Sequence, residues 1–207
     1  MNAVQTLPKN YRRSAGLSMK DRSMLLKMNI AGFFLLVLFG WLFTAAAVYL
    51  RPDEATTFLL LKWEGVSGIL TIAIVLALMF VTIVVHEAIH GLGFILLAKA
   101  RPIFAFRGVY AFAAAPDWFI PRDPFLVIGL APLVVISLVG VALMAIAPAA
   151  WIAPLVLVCV VNASGAVGDL WVAVLLLRHP PEALSNDTGD EITIYTPGHI
   201  LVNHDIY

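Results

Sequence analysis

From Val66 to Ala98 the chain runs for more than thirty residues with Glu87 as its only acidic or basic side chain other than histidine. About 20 consecutive apolar residues cross the hydrocarbon core of a bilayer, so this run has residues to spare, taken up by tilt or by an extension past the interface. Three further runs qualify, from about Ile30 to Leu50, Phe125 to Ala147 and Trp151 to Leu177. Ordinary globular domains are about 45–50% apolar, whereas here the hydrophobic share is 61%, only 13% of residues are charged and mean hydropathy is +0.94. Lipid offers no partner for backbone N–H and C=O groups, which makes helices the spanning element for runs of this length. The sequence therefore predicts an all-α multi-pass membrane protein with about four transmembrane helices.

The charges divide the rest of the chain into a polar, basic N-terminal arm over residues 1–28, a membrane domain over 29–178 and a tail over 179–207. Lys9, Arg12, Arg13, Lys20, Arg22 and Lys27 precede the first span; Lys99, Arg101, Arg107 and Arg122 lie between the second and third; Arg178 closes the fourth. Cytoplasmic flanks carry the positive excess, so both termini and the central segment are expected in the cytoplasm. The mixed-sign connection from Arg51 to Glu64 and the short turn from Ala147 to Trp151 are expected outside. Ala45-Ala46-Ala47 resembles a signal-peptide cleavage site, but the polar lead and the apolar run before it are too long for one. The first helix is expected to be retained, in a plasma (inner) membrane protein.

Formal net charge is zero, and nothing points to nucleic acid as a partner. Cys159 is the only cysteine, which excludes an intramolecular disulfide and a cysteine-based metal site. Two stretches read as extended from their alternation and aromatic content: Ile103 to Phe112 and Glu191 to Thr196. A lone strand is unstable, so the two are expected to pair in a small cytoplasmic-side or re-entrant β element. Pro116-Asp117-Trp118 and Pro121-Arg122-Asp123-Pro124 read as turns, with Trp118 and Phe119 as interface anchors. The N-terminal arm, with Pro8 and little periodicity, reads as flexible or interfacial.

Inside the second run stands His86-Glu87-Ala88-Ile89-His90. On a helix the two imidazoles fall at i and i+4 on one face, where both can bind one Zn²⁺, and Glu87 lies beside them to activate water. An ionisable residue placed in lipid is expensive and marks a functional site by default. A hydrolytic zinc site takes three protein ligands and leaves one position open. Asp169 is the acidic candidate for the third: apart from Glu87 it is the only carboxylate within the last three runs. His90 lies nine residues before Lys99 and Asp169 nine before Arg178, so at 1.5 Å per residue both sit roughly 13–14 Å from a helix end. Asn162, Gly165 and Asp169 form one helical stripe, and His86, His90 and Gly93 another. The glycines permit close helix approach, and Asn162 can hydrogen-bond a ligand, the water or substrate backbone.

The blander readings are a chance pentad, a buried Asp169 that only pairs helices, an Asn162 that makes an interhelical contact, and an ordinary cytoplasmic loop over Ile103 to Phe112 whose apolar residues touch headgroups. His179, His199 and His204 lie beyond the last run, where solvated histidine is the ordinary explanation, and Asp117 and Asp123 sit among turn prolines. A tail histidine folding back onto the site is the alternative third ligand.

The pentad, the basic and partly extended segment after it, Gly129-Leu130-Ala131-Pro132 and the Asn162 to Asp169 segment together resemble the putative zincin peptidase family. More distantly they are similar to site-2 intramembrane proteases. The likeness covers roughly Val66 to Leu177. The site-2 group usually carries its third ligand in an Asp-Gly pair, whereas here Gly168 precedes Asp169 and Leu170 follows it. The resemblance implies zinc-dependent peptide hydrolysis in or at the edge of the membrane. It also implies that an extended element, for which Arg107 to Phe112 with Tyr110 is the candidate, aligns substrate as a strand. Together these readings predict a metalloendopeptidase that cuts membrane-anchored peptides or proteins by metal-activated water, with Glu87 as general base and His86, His90 and Asp169 holding Zn²⁺. The competing class is a non-catalytic metal-binding scaffold or transporter. A His₂-carboxylate site also suits Fe(II).

Overall fold

The computed structural model describes residues 2–54, 67–108 and 111–198. Three helices are long and apolar enough to cross a membrane: α1 (Arg22–Leu50), α2 (Gly68–Gly93, continued to Ala98 by a π-helical turn) and α3 (Arg122–Ile146). The π turn ends at Lys99, whose backbone is left-handed (φ 55°). The expected start of the second span at Val66 lies outside the described residues.

The expected fourth span is broken. It forms α4 (Ile152–Gly165) and α5 (Val167–Leu177), bent by 44° at Ala166. Ser164 explains the weak point, because its hydroxyl donates back to the Val160 and Val161 carbonyls at 2.7 and 3.3 Å. Such back-bonding bends helices, and Gly165 beside it is a poor helix former.

The β structure is larger than expected and paired differently. Five antiparallel strands, β1 (Tyr11–Ser18), β2 (Ile103–Phe106), β3 (Ala111–Pro121), β4 (Leu184–Asp187) and β5 (Glu191–Pro197), lie in the order β1-β5-β4-β3-β2. The predicted strand over 191–196 is present, but it pairs with β1 and β4 and not with 103–112. That earlier stretch is instead a hairpin, β2 against β3, with Gly108 at positive φ in its turn. The N-terminal arm is not free, since Tyr11 to Ser18 runs along β5 with Tyr11 opposite Pro197.

Pro116 to Trp118, read as a turn, lies inside β3. A proline lacks the N–H that a ladder needs, and the β3–β4 register slips between Ala115 and Ile120. Asn186 Nδ2 donates to the carbonyls of Pro116 and Trp118 at 2.7 and 2.9 Å. Val4 and Phe119 exchange backbone hydrogen bonds, and the Phe119 ring packs edge-on against Tyr195. The second predicted turn, at Arg122 to Pro124, opens α3.

The chain separates into two compact units. One contains Met1–Met28, Glu87–Ala131 and Gly168–Tyr207, and holds the whole sheet. Its buried residues include Phe94, Ile120, Phe125, Leu176, Leu184 and Ile194. The other contains Asn29–His86 and Pro132–Val167. Its core joins Phe43, Ala47, Met144, Ile152, Cys159 and Ala163. At its edge Arg51 donates to the Ala147 carbonyl at 2.8 Å, which satisfies an acceptor just past the end of α3.

Candidate metal centre

Helical periodicity puts His86 and His90 one turn apart on α2. A ligand atom from each of His86, His90 and Asp169 can be chosen so that all lie within 4.8 Å of one another. His90 Nε2 stands 3.4 Å from Asp169 Oδ1. That is long for a charge-assisted hydrogen bond, which runs about 2.7–2.9 Å. It matches the edge of about 3.3 Å expected for a tetrahedron with metal–ligand bonds of 2.0–2.1 Å.

Each histidine is oriented through its other ring nitrogen. His90 Nδ1 lies 3.0 Å from the Ile128 carbonyl. A carbonyl only accepts, so Nδ1 carries a proton and Nε2 is the nitrogen that can offer a lone pair to a metal. His86 Nδ1 lies 2.9 Å from Asn162 Oδ1. Asn162 Nδ2 donates to the Pro132 carbonyl at 3.2 Å, which fixes which way the amide faces. His86 therefore also donates through Nδ1, which leaves Nε2 as its metal-facing nitrogen. Metal-ligating histidines are characteristically held in this way. The donor set and its tautomers fit a zinc ion.

Glu87 turns toward the sheet. Its Oε2 accepts the backbone N–H of Ala113 in β3 at 2.7 Å. His90 and Asn162 are buried, while His86, Glu87 and Asp169 are half-buried. Gly91, next after His90, is where β2 meets α2: a Cβ there would overlap the Phe104 ring. Gly93 fits against the Ile128 side chain, where a Cβ would stand only 3.1 Å from Ile128 Cγ1, closer than ordinary contact. Gly165, in contrast, faces open space and makes no close helix approach.

Arg107 is not among these groups. It lies in the β2–β3 turn, 3.7 Å from Asp190 and over the Phe112 ring. Tyr110, His199 and His204 lie outside the described residues. His179 is occupied locally, its Nδ1 donating to the Leu175 carbonyl at 2.8 Å. Asp117 is exposed in β3, and Asp123 pairs with Arg122.

Sequence reasoning missed three contributors. The Ala113 N–H and the Ile128 carbonyl are backbone groups with no signature of their own. Asp187, the last residue of β4, is buried, and its Oδ1 accepts the Gly189 N–H at 2.7 Å. Burial pushes its carboxyl up to about 7, and the negative charges of Asp169 and Glu87 add to this, against the Gly189 hydrogen bond and His90. The turn-like Asp187-Thr188-Gly189 is the available signal, in a polar segment beyond the last apolar run.

Residues 79–184 match the model of a family described as putative zincin peptidase. The chain belongs to that family. No curated protein and no solved structure matches it. The matched segment contains the pentad, β2, β3, Ile128, Pro132, Asn162 and Asp169, whereas Asp187 lies just beyond it.

Proposed function

We propose that the protein is a zinc-dependent endopeptidase of the HExxH type, embedded in a membrane and acting on membrane-anchored peptides or proteins. The observation that carries this reading is the grouping of His86, His90 and Asp169 with Glu87 on the same helical turn. Membership of a zincin peptidase family supports it, and the long apolar helices support the membrane setting. Among the described residues, nothing favours a transport path or a scaffold over hydrolysis.

His86, His90 and Asp169 would hold the zinc, which when bound lowers the pKa of water toward about 7 and polarises the scissile carbonyl. Glu87 accepts a proton from the attacking water and returns it to the leaving amine nitrogen. The Ala113 N–H holds one carboxylate oxygen, so Glu87 keeps its position through both transfers. The edge strand β2 gives an extended substrate a place to add to the sheet, and Phe104 on Gly91 sets that edge beside the His90 turn. Strand addition supplies backbone hydrogen bonds to a peptide that must be unwound before hydrolysis. The basic flanks support cytoplasmic termini and a cytoplasmic sheet.

The test is zinc content and cleavage of a membrane-anchored reporter in vesicles. Glu87→Gln should keep zinc and lose cleavage, and His86→Ala should lose both. Normal cleavage by Glu87→Gln would sink the mechanism, and Asp169→Ala with unchanged zinc affinity would remove Asp169 from the site.

A further inference from the structure

The His90 Nδ1 proton goes to a carbonyl inside a helix, and such carbonyls are ordinarily taken. In α3 the Ile128 carbonyl would accept the N–H of residue 132 by the i→i−4 rule. Residue 132 is Pro132, inside α3, which has no N–H. A proline ring also crowds the carbonyl four residues before it and turns it away from the helical path. The Ile128 carbonyl thus lacks its intrahelical donor, and it is the atom 3.0 Å from His90 Nδ1.

We infer that Pro132 is a positioning residue for the metal centre: by removing one helical N–H it reserves the Ile128 carbonyl for His90 and thereby sets which His90 nitrogen faces Asp169. The inference rests on the metal-site reading above and adds a determinant outside the ligand set. The same residue serves the other histidine through its own carbonyl, which accepts Asn162 Nδ2 at 3.2 Å and so aims Asn162 Oδ1 at His86. The gap at Ile128 and the anchor at Pro132 are one helical turn apart in α3, and each fixes one imidazole. Gly93 contributes by letting α2 approach Ile128, whose side chain stands 3.1 Å from where a Cβ would be.

Pro132→Ala restores the N–H without adding bulk. Alanine is the better helix former, so the new N–H competes for the Ile128 carbonyl and the ring no longer turns it outward. The full chain in detergent or nanodiscs is measured for zinc affinity by chelator competition and, metal-free at a pH where the imidazole is neutral, for the His90 tautomer by ¹⁵N NMR. The expected result is a loss of zinc affinity of about tenfold, at the lower end for outer-shell partners because a carbonyl can accept two hydrogen bonds. It should come with a His90 population shifted from the Nδ1–H toward the Nε2–H form and an exchange-protected amide at residue 132. Unchanged affinity and tautomer would overturn the inference, and so would lost affinity with an unchanged tautomer. Should the variant fail to fold, the metal-free wild type still decides, because an Nε2–H tautomer at His90 there contradicts the proposed hydrogen bond. A wild type that binds no zinc would refute the metal reading instead, while the tautomer still answers for Pro132.

Discussion

The backbone N–H of Ala113 donates to Glu87 Oε2 at 2.7 Å, so a strand of the sheet holds the one carboxylate of the pentad. A carboxylate whose oxygen accepts a fixed backbone N–H has its reach set in part by that contact. Glu87→Asp is one methylene shorter and cannot keep both the Ala113 contact and the position from which Glu87 would take a proton. Loss of general-base catalysis reduces rates about 10²–10⁴-fold. Single-turnover cleavage should fall within that range while zinc stoichiometry stays at the wild-type value. Cleavage within a few-fold of wild type would show that the Ala113 contact does not position the base.

Asn162 is nearly fully buried between a histidine donor and a carbonyl acceptor. Asn162→Ala removes the acceptor for His86 Nδ1, leaving that proton unpaired or moving it to the other nitrogen, where the ligand lone pair is needed. Partners of this kind are worth about 10–100-fold in metal affinity. Chelator competition should therefore place the variant's zinc affinity that far below wild type. The circular dichroism of the metal-free protein should be unchanged, since only one side-chain contact is lost. Wild-type affinity would assign Asn162 a helix-packing role alone.

The readable part of the molecule is the part governed by composition and by local periodicity. The long helices show as apolar runs, and the pentad shows as spacing. Asp169 could be matched to it because a carboxylate inside an apolar run needs a reason to be there. The sheet was only half legible. The alternation of Glu191 to Thr196 marks a strand, but its partner Tyr11–Ser18 is far away in sequence and carries a charge pattern that reads as a flexible or interfacial arm. Strand pairing is a long-range choice that alternation alone does not make. The hydrogen bonds that orient Glu87 and His90 were not legible, since an N–H at Ala113 and a carbonyl at Ile128 look the same at any residue. Pro132 is the exception: its missing N–H can be read from sequence once Ile128 is known to matter.

Asp187 makes a pH-dependent contribution to stability whose sign follows from its burial. Its carboxyl is raised to about 7 in the folded chain, against about 3.9 when unfolded. Below pH 4 both states hold the proton and the contribution is fully present. Between about pH 4 and 7 the unfolded chain releases a proton that the folded chain retains, so stability declines by up to about 1.4 kcal/mol per pH unit. Above 7 the decline levels off. Asp187→Asn keeps an acceptor for the Gly189 N–H but cannot titrate. Under chelator, thermal unfolding of wild type minus that of Asp187→Asn should therefore fall from pH 4 to 7. A flat difference would show that Asp187 keeps an ordinary carboxylate pKa.

Gly140 and Cys159 meet where α3 and α4 pack, and a Cβ on Gly140 would overlap the Cys159 sulfur. Cys159 is fully buried in the core shared by Phe43, Met144 and Ala163, so the sulfur has little room to retreat. Gly140→Ala should improve intrinsic helix propensity, by up to about 1 kcal/mol. It nevertheless overpacks the core, an error that typically costs about 1–3 kcal/mol, and the overlap decides the sign. The melting temperature in detergent should therefore drop. Cys159→Ala alone should also destabilise, since it opens a small cavity. Combined, the two changes exchange a large-small pair for two methyl groups, and the double variant should be more stable than the sum of the singles allows. A coupling of 0.5–3 kcal/mol is typical for residues in contact. Strict additivity would mean that the two helices separate in solution by more than this contact permits.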